Sequence, residues 1–102
     1  MNAEIARHRS AIDETCRRHR VRSLDLFGSA ATGNFRPGAS DFDFLVEFEA
    51  MPSSGDADAC FGLLESLTEL LGRPVDLVVT SAIRNPYFRE SVEESRIPLY
   101  AA

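Results

Sequence analysis

The sequence predicts one α/β (α+β) domain built on a small mixed sheet of three main strands, with helices packed mainly on one face. Short apolar runs at residues 22–27, 42–48 and 75–79 have the length and composition of strands, and amphipathic stretches of helical spacing lie between and around them. The segment joining the first two runs, residues 28–41, is near the lower limit for a parallel crossover, which favours an antiparallel pair. The segment joining the second and third runs holds a helix and its loops, enough for a right-handed parallel crossover. With 102 residues, the chain makes a single domain over 1–102, too small to include a separate acceptor-binding domain.

Each element has its own signal. Residues 4–20 read as one helix, with Ile5, His8, Ile12, Cys16 and His19 on one side and most of the arginines elsewhere; so thin a stripe suits an edge position. The first strand ends at Gly28-Ser29, where a short helical turn to about Gly33 begins, followed by a loop through Phe35-Arg36-Pro37-Gly38. The second strand is continuously apolar on its Phe42, Phe44, Val46 and Phe48 side. After a loop at 51–55, Asp56 or Asp58 can cap a helix over about 57–71, where Cys60, Leu63, Leu64, Leu67, Leu70 and Leu71 recur at helical spacing; Gly72 and Pro74 end it. Val75-Asp76-Leu77-Val78-Val79 is the third strand. Asn85-Pro86 opens a last helix reaching about Glu94, with Pro86 suited to its first turn, and Ile97-Pro98-Leu99-Tyr100 follows as an extended segment.

Composition narrows the function. Hydrophobic residues at 44% and charged residues at 26% exclude a disordered chain. No apolar run reaches the roughly eighteen residues of a membrane span and the first residues lack a signal-peptide core, so the expected compartment is the cytoplasm. The formal charge of −5 is unevenly spread: residues 1–40 hold seven Arg and four acids, residues 41–102 four Arg and twelve acids. An acidic second half repels a nucleic-acid backbone unless cations intervene, which argues against direct nucleic-acid binding. The cluster Arg17-Arg18-His19-Arg20-Val21-Arg22 could grip a triphosphate or an RNA; the plainer reading is a solvated helix end whose cations suit the C-terminal dipole. His8 and His19 read as core-margin histidines, and Cys16 and Cys60, with no metal-site spacing, as small buried hydrophobes.

The chemistry gathers at the ends of the strands. Gly28-Ser29 is a strand-to-helix step that would turn backbone N–H groups and a hydroxyl toward a docked phosphate. Asp41 and Asp43, two residues apart, share one face of the second strand while Phe42 and Phe44 take the other, giving a wet, acidic face backed by an apolar one. An antiparallel first pair sets Gly28-Ser29 beside these acids, and a parallel second pair sets Asp76 level with them. Three carboxylates so close to a phosphate would repel it and one another unless divalent cations stood between them, and oxygen-only ligands select Mg²⁺. Each part has a bland alternative: loop Gly-Ser, a fraying strand start, an acid on a solvated face. For Asp25 the solvated strand face is the preferred reading, with a place near the site as the alternative. The combination in this order is specific.

That combination resembles the nucleotidyltransferase superfamily that includes DNA polymerase β, and within it the minimal nucleotidyltransferases that accompany HEPN-domain proteins. The residues that carry the likeness are Leu26-Phe27-Gly28-Ser29, Gly33, Arg36-Pro37, Ser40-Asp41-Phe42-Asp43-Phe44-Leu45-Val46 and Val75-Asp76-Leu77-Val78. Eleven residues separate Ser29 from Asp41, one more than in the commonest form of the motif. The resemblance implies a polymerase β-like fold. It also implies that Gly28 and Ser29, with Arg36 and Ser40 nearby, hold the nucleotide phosphates, and that Asp41, Asp43 and Asp76 are the catalytic carboxylates that bind two Mg²⁺ ions. ATP is the implied substrate, and the implied role is an antitoxin that transfers AMP to a tyrosine of a HEPN-domain toxin encoded alongside. Two other functions compete: a non-catalytic module that neutralises its partner by stoichiometric binding, and an enzyme whose acceptor is a small molecule such as an aminoglycoside. Homo- and hetero-oligomers are both open.

Overall fold

The computed structural model describes residues 3–32, 41–49, 55–80 and 83–102, with the side chains of 55–57 excepted. The elements run α1 (Ala3–Arg7), α2 (Arg9–Arg18), β1 (Val21–Phe27), α3 (Ser29–Thr32), β2 (Phe42–Phe48), α4 (Gly55–Leu71), β3 (Val75–Val79), α5 (Pro86–Ser95) and β4 (Ile97–Ala101). The strands form one mixed sheet in the order β3-β2-β1-β4. β1 pairs antiparallel with β2, and β2 pairs parallel with β3, as the two connection lengths predict. The extended segment at 97–101 is a fourth strand, antiparallel to β1, with Leu26 opposite Ile97 and Leu24 opposite Tyr100.

Strand alternation gives the sheet two different faces. Leu24, Leu26, Phe42, Phe44 and Val46 point to one side, where α2 and α4 cover them with Ile12, Cys16, Leu63 and Leu67; all are buried in the main core. Phe27, Leu45 and Val78 point to the other side and form a smaller cluster with Ile83 and Val92, so among the described helices α5 packs there. The acid-bearing side is therefore only partly wet, because one helix lies across it.

Local chemistry explains most boundaries. Asn85 caps α5 as its neighbours foretell: its Oδ1 accepts from Tyr87 N–H at 2.9 Å and Phe88 N–H at 3.3 Å, with Pro86 in the first turn. α4 ends at Gly72, whose φ of +64° is the left-handed conformation that closes a helix. Its start lies at Gly55, earlier than expected, so Asp56 and Asp58 fall inside the helix and neither is its cap. The predicted single helix at 4–20 is two: at His8 the backbone (φ −99°, ψ 11°) leaves helical geometry, and its N–H is split between the carbonyls of Glu4 and Ile5, both at 3.2 Å. Arg73 grips Glu4 with two 2.8 Å hydrogen bonds, tying the approach to β3 to α1.

The remaining expectations sort by environment. His19 is half-buried and exchanges a 3.2 Å hydrogen bond with Ser66, a packing role as read. Cys16 is buried and its thiol is pushed up to about 12 by desolvation, that of an inert core residue. Among the described residues no helix is long and apolar enough to cross a membrane.

Candidate active site

Asp43 stands on β2 directly opposite Asp76 on β3, and also opposite Phe27 on β1. Partners in register share a face, so both carboxylates rise from the same side of the sheet, at the end where β1 runs out. Asp43 is half-buried while Asp76 is exposed. Desolvation, then the neighbouring Asp76 carboxyl, then the charge of Asp41, push the Asp43 carboxyl up to about 6. Asp41 lies just before β2, exposed, close enough to contribute to that repulsion.

The Gly-Ser step closes against this pair. Gly28 adopts φ +73°, and a Cβ built on it would stand 2.5 Å from Asp43 Oδ2, so no other residue lets the turn come this near the carboxylate. Its carbonyl accepts from the N–H groups of Ala31 (3.1 Å) and Thr32 (3.2 Å), starting α3. Its own N–H does not face open space as the sequence suggests: it donates to Ser95 Oγ on α5, at 3.4 Å. Ser29, half-buried, follows at the first position of α3.

The structure thus brings together Gly28, Ser29, Asp43 and Asp76, with Asp41 at the margin. Arg36 and Ser40 lie outside the described residues. Among the described residues no group of three His, Cys, Asp or Glu side chains is arranged to hold a metal ion. The donor set still fits Mg²⁺, which takes one or two carboxylates and completes its shell with phosphate and water. Two carboxylates set side by side in register are the arrangement a divalent cation relieves.

Asp25 is not on a solvated strand face. It is 9% exposed, on the same side of β1 as Phe27, and Arg96 at the end of α5 pairs with it at 3.4 Å. Burial raises its carboxyl above the ordinary range in spite of that partner. Ser95 and Arg96 are the site-side residues that sequence reasoning missed; the only hint was their place between a helix and an extended segment. The arginines at 17, 18, 20 and 22 are exposed and sit where β1 begins. A seven-residue strand puts them roughly 20 Å from Gly28, so they take no part in this site.

Comparison with known proteins agrees with the geometry. Residues 8–99 match the family described as Nucleotidyltransferase domain. A protein of Methanocaldococcus jannaschii named "Putative protein adenylyltransferase" is 40% identical over 93 residues, covering 91% of this chain and 88% of that one. A solved structure described as a "putative minimal nucleotidyltransferase" superposes with TM-score 0.78 at 36% identity, over 97% of both chains. A chain from the solved complex of tri-AMPylated Shewanella oneidensis HEPN toxin with MNT antitoxin shares the fold, with TM-score 0.65 at 20% identity over 95% of this chain and 72% of that chain. With a turn built against paired carboxylates, a fold common to these proteins and a family match over nearly its whole length, the chain belongs to the nucleotidyltransferase domain family as an enzyme of the minimal nucleotidyltransferase kind.

Proposed function

We propose that this enzyme transfers AMP from ATP to a hydroxyl of a partner protein in a Mg²⁺-dependent reaction, that the partner is a HEPN-domain toxin, and that the transfer makes the chain its antitoxin. The observation that carries the site is the in-register pairing of Asp43 and Asp76 beside Gly28. The M. jannaschii relative is named an adenylyltransferase of proteins, and the S. oneidensis complex joins an MNT antitoxin to an AMPylated HEPN toxin; both names favour a protein acceptor.

In this reading Ser29 holds the outer phosphates and Gly28, whose own N–H and carbonyl are committed, lets the turn approach them, with Arg36 and Ser40 on the nucleotide side. Asp41, Asp43 and Asp76 would hold two Mg²⁺ ions, which when bound would neutralise the carboxylates, lower the pKa of the attacking hydroxyl and stabilise the departing pyrophosphate. The acceptor oxygen bonds to the α-phosphorus while the bond from that phosphorus to the bridging oxygen of the β-phosphate breaks; pyrophosphate leaves with the electron pair. Asp76, exposed at the rim, receives the hydroxyl proton.

The test is incubation with ATP labelled in its α-phosphate, Mg²⁺ and the HEPN-domain protein encoded alongside. Label is expected on a tyrosine of that protein, and none with Asp41→Asn or Asp43→Asn. Retained labelling by both variants refutes the assigned site, and labelling of no polypeptide refutes the protein acceptor.

A further inference from the structure

We propose that Ser95 is a positioning residue for nucleotide transfer: by accepting the Gly28 N–H, its hydroxyl fixes the Gly28 peptide against Asp43. The inference rests on the site reading above. Both polar groups of the Gly28 backbone are committed, the carbonyl to the first turn of α3 and the N–H to Ser95 Oγ at 3.4 Å. The hydroxyl is itself oriented, because it donates to Ser91 O at 3.2 Å one turn back along α5. Its proton is therefore spent on its own helix, and a lone pair is left for Gly28.

The consequence follows from how little space surrounds Gly28. Its φ of +73° is one that a glycine can leave easily, and nothing in its own side chain resists rotation of the peptide. Asp43 Oδ2 lies 2.5 Å from where a Cβ would stand, so a small rotation changes the gap between the turn and the carboxylate. Of the two peptide planes at this residue, α3 restrains the one after Gly28 and Ser95 restrains the one before it. The contact also spans 67 positions of sequence, so α5 is tied into the site at its last turn, while Val92 and Phe88 pack it onto β1 farther along.

The experiment compares the whole protein with Ser95→Ala and Ser95→Thr, and with Asp43→Asn as the site control. Two quantities are read: amide hydrogen exchange at Gly28, and calorimetric affinity for α,β-methylene-ATP with Mg²⁺. Ser95→Ala is expected to remove protection of the Gly28 amide and to weaken the analogue about fivefold, the effect of one ordinary hydrogen bond. Ser95→Thr, which keeps the hydroxyl, is expected to restore both. A Gly28 amide that stays protected in Ser95→Ala overturns the proposal, and so does wild-type affinity in that variant while Asp43→Asn has lost binding. If Asp43→Asn binds the analogue as the wild type does, the site reading fails and the proposal falls with it.

Discussion

Asp43 and Asp76 face each other across the parallel ladder of β2 and β3, with the Asp43 carboxyl pushed up to about 6 by burial and by its neighbour's charge. That is an unfavourable arrangement for a protein without bound cations, and it can be measured.

Replacing Asp43 by Asn should stabilise the metal-free protein while abolishing transfer. Between the ordinary value of 3.8 and about 6 the folded chain holds a proton that the unfolded chain has released, so wild-type stability falls as pH rises through that window and is flat above it. The shift corresponds to about 3 kcal/mol at most; with solvent reaching the pair, about 1 kcal/mol is expected at pH 7, or roughly 4–8 °C in Tm. Thermal melts at pH 4 and pH 7 should show the advantage of Asp43→Asn at the higher pH only. Mg²⁺ with ATP should raise the wild-type Tm and leave the variant's unchanged.

Gly28→Ala should cost about 2 kcal/mol, since the residue must keep a left-handed φ and its new methyl meets Asp43 Oδ2. Urea unfolding gives the stability, and labelled-ATP transfer should fall at least about tenfold as the turn is driven from the carboxylate.

Arg96→Ala leaves the Asp25 carboxylate in its buried setting without a cation. Arg96 is partly exposed, which places the loss near the low end, about 1 kcal/mol. Because burial raises the Asp25 carboxyl in the folded chain, its charge costs stability above that raised value and is lost by protonation below it. The deficit of Arg96→Ala should therefore be largest at neutral pH and shrink on acidification, in chemical unfolding at pH 7 and pH 4.

The two sides of α4 should respond oppositely to truncation. Leu63 and Leu67 are fully buried in the main core, so either change to Ala should cost about 2–5 kcal/mol. Phe61 on the same helix is 71% exposed, and Phe61→Ala should stay within about 0.5 kcal/mol. Equal effects at the two positions would mean that α4 faces the sheet differently.

The local signals in the sequence were enough for the strands, the Asn85 cap and the pairing directions, because turn chemistry and connection length act over a few residues. They also placed Asp43 level with Asp76, since a parallel crossover fixes the register of the strand starts. Asp25 was misread for the opposite reason: its environment is set by Arg96, 71 positions away, and an acid within Leu24-Asp25-Leu26 looks the same whether solvent or a helix covers it. The partner of the Gly28 N–H was hidden in the same way. The break at His8 has no Gly or Pro to announce it, and it follows from how two short helices seat on one core.

The order of the strands gives the two carboxylates unequal freedom. β2 is flanked by β1 and β3, so the backbone beneath Asp43 is held by ladders on both sides, whereas β3 is an outermost strand and Asp76 rests on one. Under the proposed two-ion reading, separating the two oxygens to accommodate an ion of a particular radius would fall to Asp76. One side of the pair is fixed by the sheet and the other can yield, so the gap would adjust without disturbing the turn built against Asp43.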